Sequence, residues 1–145
     1  MPQLQTIDVL LVEDNVDDAD IARRVLSKSE VQAEVHVAGD GAEALDFLFR
    51  RGKYEAAPRP ALVVLDVGLP RVGGIQVLRL MRADPDLGEI PVAVLTGSLD
   101  RAQMEECLDL GTNMYILKSM SLEQLVMFAA AVRKYWRVIG RLRGE

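Results

Sequence analysis

The sequence predicts an α/β domain of the doubly wound kind, a five-stranded parallel sheet with five helices covering its two faces. Residues Ala61-Leu-Val-Val-Leu65 run apolar without alternation into Asp66, the pattern of a strand covered on both faces. The mostly apolar Ile7–Val12 and the apolar Val92–Thr96 are of the same buried kind, and each is followed by or ends in polar residues and a turn. Segments with apolar residues at helical spacing separate these runs, and such alternation calls for right-handed crossovers and a parallel sheet.

In chain order, Ile7–Val12 is the first strand and stops at Glu13-Asp14-Asn15. Asn15 or Asp17 can cap the next helix, whose inner face is expected from Ile21, Ala22, Val25 and Leu26. Val31–Ala38 suits a short second strand. His36 alternates there with Val35 and Val37 and reads as structural, since no neighbour in sequence completes a triad or a metal pair. Asp40-Gly-Ala-Glu43 has the form of a capping box, and Ala44, Leu45, Leu48 and Phe49 give its helix an inner face that ends near Gly52. Lys53–Pro60 is a surface connection into the Asp66 strand. Gly73-Gly74 then opens a helix through Val77, Leu78 and Met81. Asp84-Pro85 closes it, because the residue before proline is pushed out of helical geometry. Pro91 introduces the fourth strand, Asp100 caps a helix that Gly111 stops, and Asn113–Leu117 is the fifth strand, ending at Lys118. Ser121-Leu-Glu-Gln124 is a capping box, with Met120 placed to pack on Leu125, so the last helix is expected from about 122 to 142.

Residues 1–145 fit a single domain. Hydrophobic content of 50% and charged content of 27% suit a soluble globular protein. No apolar run approaches the roughly 18 residues of a membrane span. Met-Pro-Gln-Leu-Gln-Thr lacks the basic-then-apolar layout of a signal peptide, so a cytoplasmic location is expected. The lone Cys107 excludes a disulfide framework and is expected to be a small buried hydrophobe. A net charge of −5 and a pI near 5.0 argue against nonspecific nucleic-acid binding.

Aligning the strand ends at one rim gathers Glu13 and Asp14, then Asp66, then Thr96, then Lys118. Three carboxylates in one crevice repel one another unless a cation sits among them, and an all-oxygen donor set suits magnesium. Lys118 adds a cation of the protein's own. A metal and an ammonium flanking one aspartate describe a phosphoryl site, in which the Asp66 oxygen attacks phosphorus. The acidic loop after the first strand excludes a glycine-rich nucleotide cradle. An aspartyl-phosphate hydrolase needs a general acid beside the nucleophile, and Gly68, two residues past Asp66, cannot give a proton. The expectation is therefore a phosphoacceptor that keeps its phosphoryl group, and no enzyme.

Glu13-Asp14, Asp66 with Pro70 and Gly74, Thr96-Gly97, and Tyr115 with Lys118 resemble the signature of receiver domains of two-component response regulators, over nearly the whole chain from about Ile7. The resemblance implies a flavodoxin-like topology and phosphoryl transfer from the phosphohistidine of a histidine kinase to Asp66, assisted by magnesium. It also implies Asp14, Asp66 and the backbone carbonyl of Gly68 as metal ligands, with Glu13 acting through a metal-bound water. Lys118 would pair with the phosphoryl oxygens, and Thr96 would swing to bond one of them, freeing space into which Tyr115 turns. The chain departs from the family at Ser119, where proline in a cis peptide usually follows the lysine. A cis bond without proline costs roughly 2.5 to 4 kcal/mol, so the isomer of the Lys118-Ser119 bond stays open.

On the last helix, Leu122, Leu125, Ala129, Val132, Trp136 and Ile139 form one apolar stripe, and Phe128, Ala131, Tyr135, Val138 and Leu142 another. Glu123, Arg133, Lys134, Arg137 and Arg141 make up the polar face. One sheet cannot bury both stripes, so a symmetric homodimer is expected through a face carrying Phe128, Tyr135, Trp136 and Leu142. The long connection before Pro58-Arg-Pro60, Lys-Ser in place of Lys-Pro, and the Tyr135-Trp136 tail are similar to single-domain regulators paired with phytochromes. That likeness implies a light-sensing histidine kinase as partner. The basic residues of the last helix alternate with buried positions and amount to one helix face, so neither nucleic acid nor membrane is expected as a partner. An unphosphorylated dimeric interaction module, and a shuttle carrying phosphate between kinase and phosphotransfer protein, are the alternatives.

Overall fold

The computed structural model describes residues 6–28, 33–68, 73–97, 100–118 and 122–142, the last eight of these by backbone alone. The order is β1 (Ile7–Val12), α1 (Val16–Lys28), β2 (Ala33–Ala38), α2 (Gly41–Leu48), β3 (Leu62–Asp66), α3 (Gly74–Ala83), β4 (Val92–Thr96), α4 (Arg101–Asp109), β5 (Met114–Leu117) and α5 (Glu123–Leu142). The strands form one parallel sheet in the order β2-β1-β3-β4-β5. This is the flavodoxin-like arrangement, in which the strand order reverses beside β1 and a crevice opens at the carboxyl ends.

Continuous or nearly continuous apolar runs make the central strands β1, β3 and β4, because each must feed two cores. One core packs Leu10, Val12, Val63, Leu65, Val92 and Val94 against α2, α3 and the buried Cys107 of α4. The other packs Ile7, Val9, Leu11, Leu62, Val64 and Leu95 against Ala22 and Leu26 of α1 and Leu125, Ala129 and Val132 of α5. All five side chains of β3 are buried, Asp66 included.

Capping side chains fix where the helices begin. Asn15 Oδ1 accepts the Asp18 N–H at 3.0 Å, which selects Asn15 over Asp17 as the cap of α1. Asp40 accepts the Glu43 N–H at 2.7 Å, and Glu43 returns to the Gly39 N–H at 3.2 Å, one residue beyond the usual capping box. Asp100 accepts from Gln103 at 3.1 Å. The capping box at Ser121 and the staple from Met120 lie outside the described residues, as do Pro70 and Ser119.

Several expectations are corrected. Ile21 is 53% exposed, because the face of α1 that meets the sheet is centred on Ala19, Ala22 and Leu26. Helix α2 ends at Leu48 and not near Gly52: Phe49 closes it, and Arg50 turns left-handed with φ 55°. Phe47, and not Phe49, is the buried aromatic there, and its ring packs edge-on against Tyr54 of the 3-10 turn Gly52–Tyr54. The Lys53–Pro60 connection is thereby anchored, and the Tyr54 hydroxyl also donates to Glu43. Asn113 lies just outside β5, its side chain accepting the Val92 N–H at 3.0 Å. Arg133, assigned to the polar face of α5, is 6% exposed; a long aliphatic stem lets an arginine be covered in this way.

Two contacts hold the frame around β3 and β4. Helix α3 starts so close beneath the end of β3 that a Cβ on Gly74 would lie 2.4 Å from the Asp66 carbonyl oxygen. Arg82, near the end of α3, donates to the carbonyls of Leu110 (2.8 Å), Gly88 (2.9 Å), Ile90 (2.7 Å) and Gly111 (3.0 Å), tying three chain segments into one corner.

Candidate functional site at the carboxyl ends of the strands

Sheet register builds the site. Val12 pairs with Leu65, so Glu13 emerges beside Asp66. Asp66 pairs with Leu95, and Thr96 with Leu117, which brings Thr96 and Lys118 to the same rim. The rung between them continues past β5: the Lys118 N–H donates to the Thr96 carbonyl at 2.8 Å.

Both oxygens of Asp66 are engaged. Oδ1 accepts the Gly68 N–H at 2.9 Å, and Oδ2 accepts from Lys118 Nζ at 3.0 Å. The carboxylate is thus held against rotation with one oxygen facing an ammonium. Lys118 Nζ also lies 2.5 Å from Glu13 Oε1 and 3.1 Å from Asp18 Oδ2. Glu13, Asp14 and Asp66 each offer an oxygen within 4.8 Å of the others, with Asp14 exposed and the other two buried.

The charge balance of this cluster is strained. Burial pushes the Glu13 carboxyl up to about 7, and neighbouring Asp66 adds to the rise, while Lys118 and the Asn15 N–H pull it back. Burial alone would lower the Lys118 pKa, but Glu13, Asp66 and Asp18 outweigh it and hold the ammonium well above its ordinary range. Among the described residues, four carboxylates thus share one protein cation, an arrangement that favours a further cation. Chemically, it offers a fixed carboxylate nucleophile and a positive group for a developing phosphoryl charge.

Thr96 is buried at the end of β4. Tyr115 is half-buried, and its hydroxyl lies 3.5 Å from Gln103 Oε1. Burial raises the Tyr115 pKa, and a hydrogen bond with the Thr96 side chain moderates the rise, so the two are already neighbours. Of the residues assigned to the dimer face, Phe128 is half-buried and packs on the α1/α5 core; the side chains of Tyr135, Trp136 and Leu142 lie outside the described residues.

Asp18 was not anticipated from the sequence. It stands four residues past Asp14 in the first turn of α1, on the correct rim, but only the rotation of the helix shows that it meets Lys118. His36 is also better connected than its sequence neighbours suggest. Its Nε2 meets Asp8 Oδ1 at 3.0 Å across β1 and β2, with Glu34 beside them and the Phe47 ring centroid 5.2 Å away.

Residues 9–130 match the sequence profile of the response regulator receiver domain. The chain is 37% identical over 128 residues to response regulator Rcp1 of Synechocystis sp., an alignment covering 88% of this chain and 87% of the relative. Its fold is similar to that of the phosphorylated cyanobacterial phytochrome response regulator RcpA, with a TM-score of 0.79 and 37% identity over 91% of this chain and 94% of the other. The Mn2+-bound form of Rcp1 is also similar, with a TM-score of 0.77 and 36% identity over 90% and 94% of the two chains. Among the described residues, no helix is long and apolar enough to cross a membrane.

Proposed function

The chain belongs to the response regulator receiver domain family, and from that premise we propose that it accepts a phosphoryl group on Asp66 from the phosphohistidine of a sensor histidine kinase. The supporting observation is the pinned Asp66 carboxylate, with Oδ2 3.0 Å from the Lys118 ammonium and two further carboxylates within 4.8 Å. An Asp66 oxygen attacks phosphorus, the P–N bond to the imidazole breaks, and the transferred oxygens gather negative charge. Lys118 is the side chain that answers that charge.

The Glu13, Asp14 and Asp66 trio fits a hard divalent ion such as magnesium, being all oxygen, closely spaced and over-supplied with negative charge. Asp14, Asp66 and the Gly68 carbonyl would hold the ion directly, and Glu13 through a water. When bound, it supplies neutralisation of the phosphoryl oxygens. Gly68 presents a backbone N–H to Asp66 and no proton-donating side chain, which supports a retained adduct over hydrolytic turnover. Thr96 turns toward the new phosphoryl oxygen, and Tyr115, its neighbour, follows into the vacated space. The event at Asp66 is thereby passed to the surface of α4, β5 and α5.

Similarity to RcpA supports a phytochrome-type kinase as the donor. The reading also includes a homodimer through the α5 face that carries Phe128, Tyr135, Trp136 and Leu142, and a cytoplasmic setting. The test is intact mass after incubation with magnesium and a small acyl phosphate, then with a phosphorylated kinase. The wild type gains one phosphoryl group from both donors and Asp66→Asn gains none; a wild type that stays unmodified, or an Asp66→Asn chain that is modified equally, sinks the assignment.

A further inference from the structure

An ammonium has three N–H donors, and all three on Lys118 meet carboxylates: Glu13 at 2.5 Å, Asp66 at 3.0 Å and Asp18 at 3.1 Å. Glu13 and Asp66 have other roles in the proposed site. Asp18 belongs neither to the carboxylate trio nor to the acceptor strand, and it reaches Lys118 across 100 positions of sequence. Its own backbone is fixed, since its N–H is the one that the α1 cap Asn15 accepts.

We propose that Asp18 is a positioning residue, holding the Lys118 ammonium over Asp66 so that it meets the incoming phosphoryl group. This inference rests on Asp66 being the phosphoryl acceptor. Lysine carries its charge on a flexible four-carbon stem and must be held if it is to act at one point. Beside it lies a cleft of about 60 Å3 lined by Glu13, Asp18, Ile21, Leu95 and Leu122, into which an unrestrained Nζ can swing. Once the Asp66 oxygen bonds phosphorus it is no longer a full carboxylate and grips the ammonium less. Asp18, 41% exposed on its side chain and unaffected by the transfer, remains the anchor from which Nζ reaches the phosphoryl oxygens.

The experiment measures the rate of phosphorylation by a small acyl phosphate at saturating magnesium, as a function of donor concentration. In Asp18→Ala the maximal rate falls about tenfold, the effect of losing one partly exposed charge-assisted hydrogen bond, while the donor KM does not rise. Asp18→Glu, which keeps the charge, recovers most of the rate. In a Lys118→Ala background, Asp18→Ala lowers the rate no further, whereas a general loss of structure adds to the first defect. A maximal rate in Asp18→Ala within about twofold of wild type or above it, or an additive loss in the double variant, overturns the inference. A wild type that takes up no phosphoryl group at all defeats the acceptor reading itself, and this inference with it.

Discussion

The two adjacent glycines at the start of α3 make opposite demands, and substituting each by alanine separates them. At Gly74 a Cβ would sit 2.4 Å from the Asp66 carbonyl oxygen, 2.7 Å from Val67 Cα and 3.1 Å from the Asp66 carbonyl carbon. All three are backbone atoms, which cannot rotate away. Ordinary carbon contacts are about 3.3 to 4.0 Å, so the start of α3 must withdraw by roughly 1 Å. Val77, Leu78 and Met81 are fully buried on the same helix, and withdrawal loosens them too. Overpacking costs about 1 to 3 kcal/mol, and rigid backbone argues for the upper figure. Alanine returns about 0.5 to 1 kcal/mol of helix propensity, leaving a net loss of about 2 kcal/mol. At this chain length that is a fall in Tm of roughly 4 to 8 °C. At Gly73 nothing lies within 4 Å, and φ −69°, ψ 154° is extended backbone open to alanine. There the entropy gained from the unfolded chain and the poorer capping by alanine offset each other to within about 0.5 kcal/mol. Urea unfolding of both variants, with unchanged m-values, is the assay. Equal stabilities for Gly73→Ala and Gly74→Ala would refute the close approach of α3 to the Asp66 strand end.

The Glu13 proton is held to about pH 7 in the folded state against 4.5 in the unfolded chain, so folding takes up a proton between these values and stability falls as pH rises through them. In metal-free buffer, Glu13→Gln should match wild type near pH 4 and exceed it by about 2 to 3 kcal/mol at pH 8; a difference that does not change with pH contradicts the buried, mutually repelling carboxylates. Arg82→Lys keeps the charge but cannot serve four carbonyls at once, and should cost about 2 to 3 kcal/mol in urea unfolding. A loss below about 0.5 kcal/mol would show that the corner closes without the guanidinium.

Strands buried on both faces announce themselves as apolar runs, interrupted in β1 only by Asp8, which is why β1, β3 and β4 could be read from sequence within a residue. A parallel sheet then fixes which rim their last residues share, so the convergence of Glu13, Asp66, Thr96 and Lys118 followed from strand order alone. What stayed hidden depends on helix rotation or on long-range backbone contacts. Asp18 and Ile21 are three residues apart on α1, and only packing decides that the first meets Lys118 while the second is left outside the core. The Arg82 corner joins carbonyls up to 29 positions away, and carbonyls leave no mark on sequence. Helix α2 ends early through the left-handed Arg50, a residue type that gives no warning of that conformation.

The single peptide rung from the Lys118 N–H to the Thr96 carbonyl, at 2.8 Å, has a mechanical meaning. On the proposed reading, Lys118 as the arm that grasps the transferred group and Thr96 as the lever that reports it are bolted to one pivot. Under that proposal, bending β5 to loosen the grasp would also tilt the lever, and tuning adduct lifetime without altering the transmitted message would require changes to side chains that leave this junction of two strands intact.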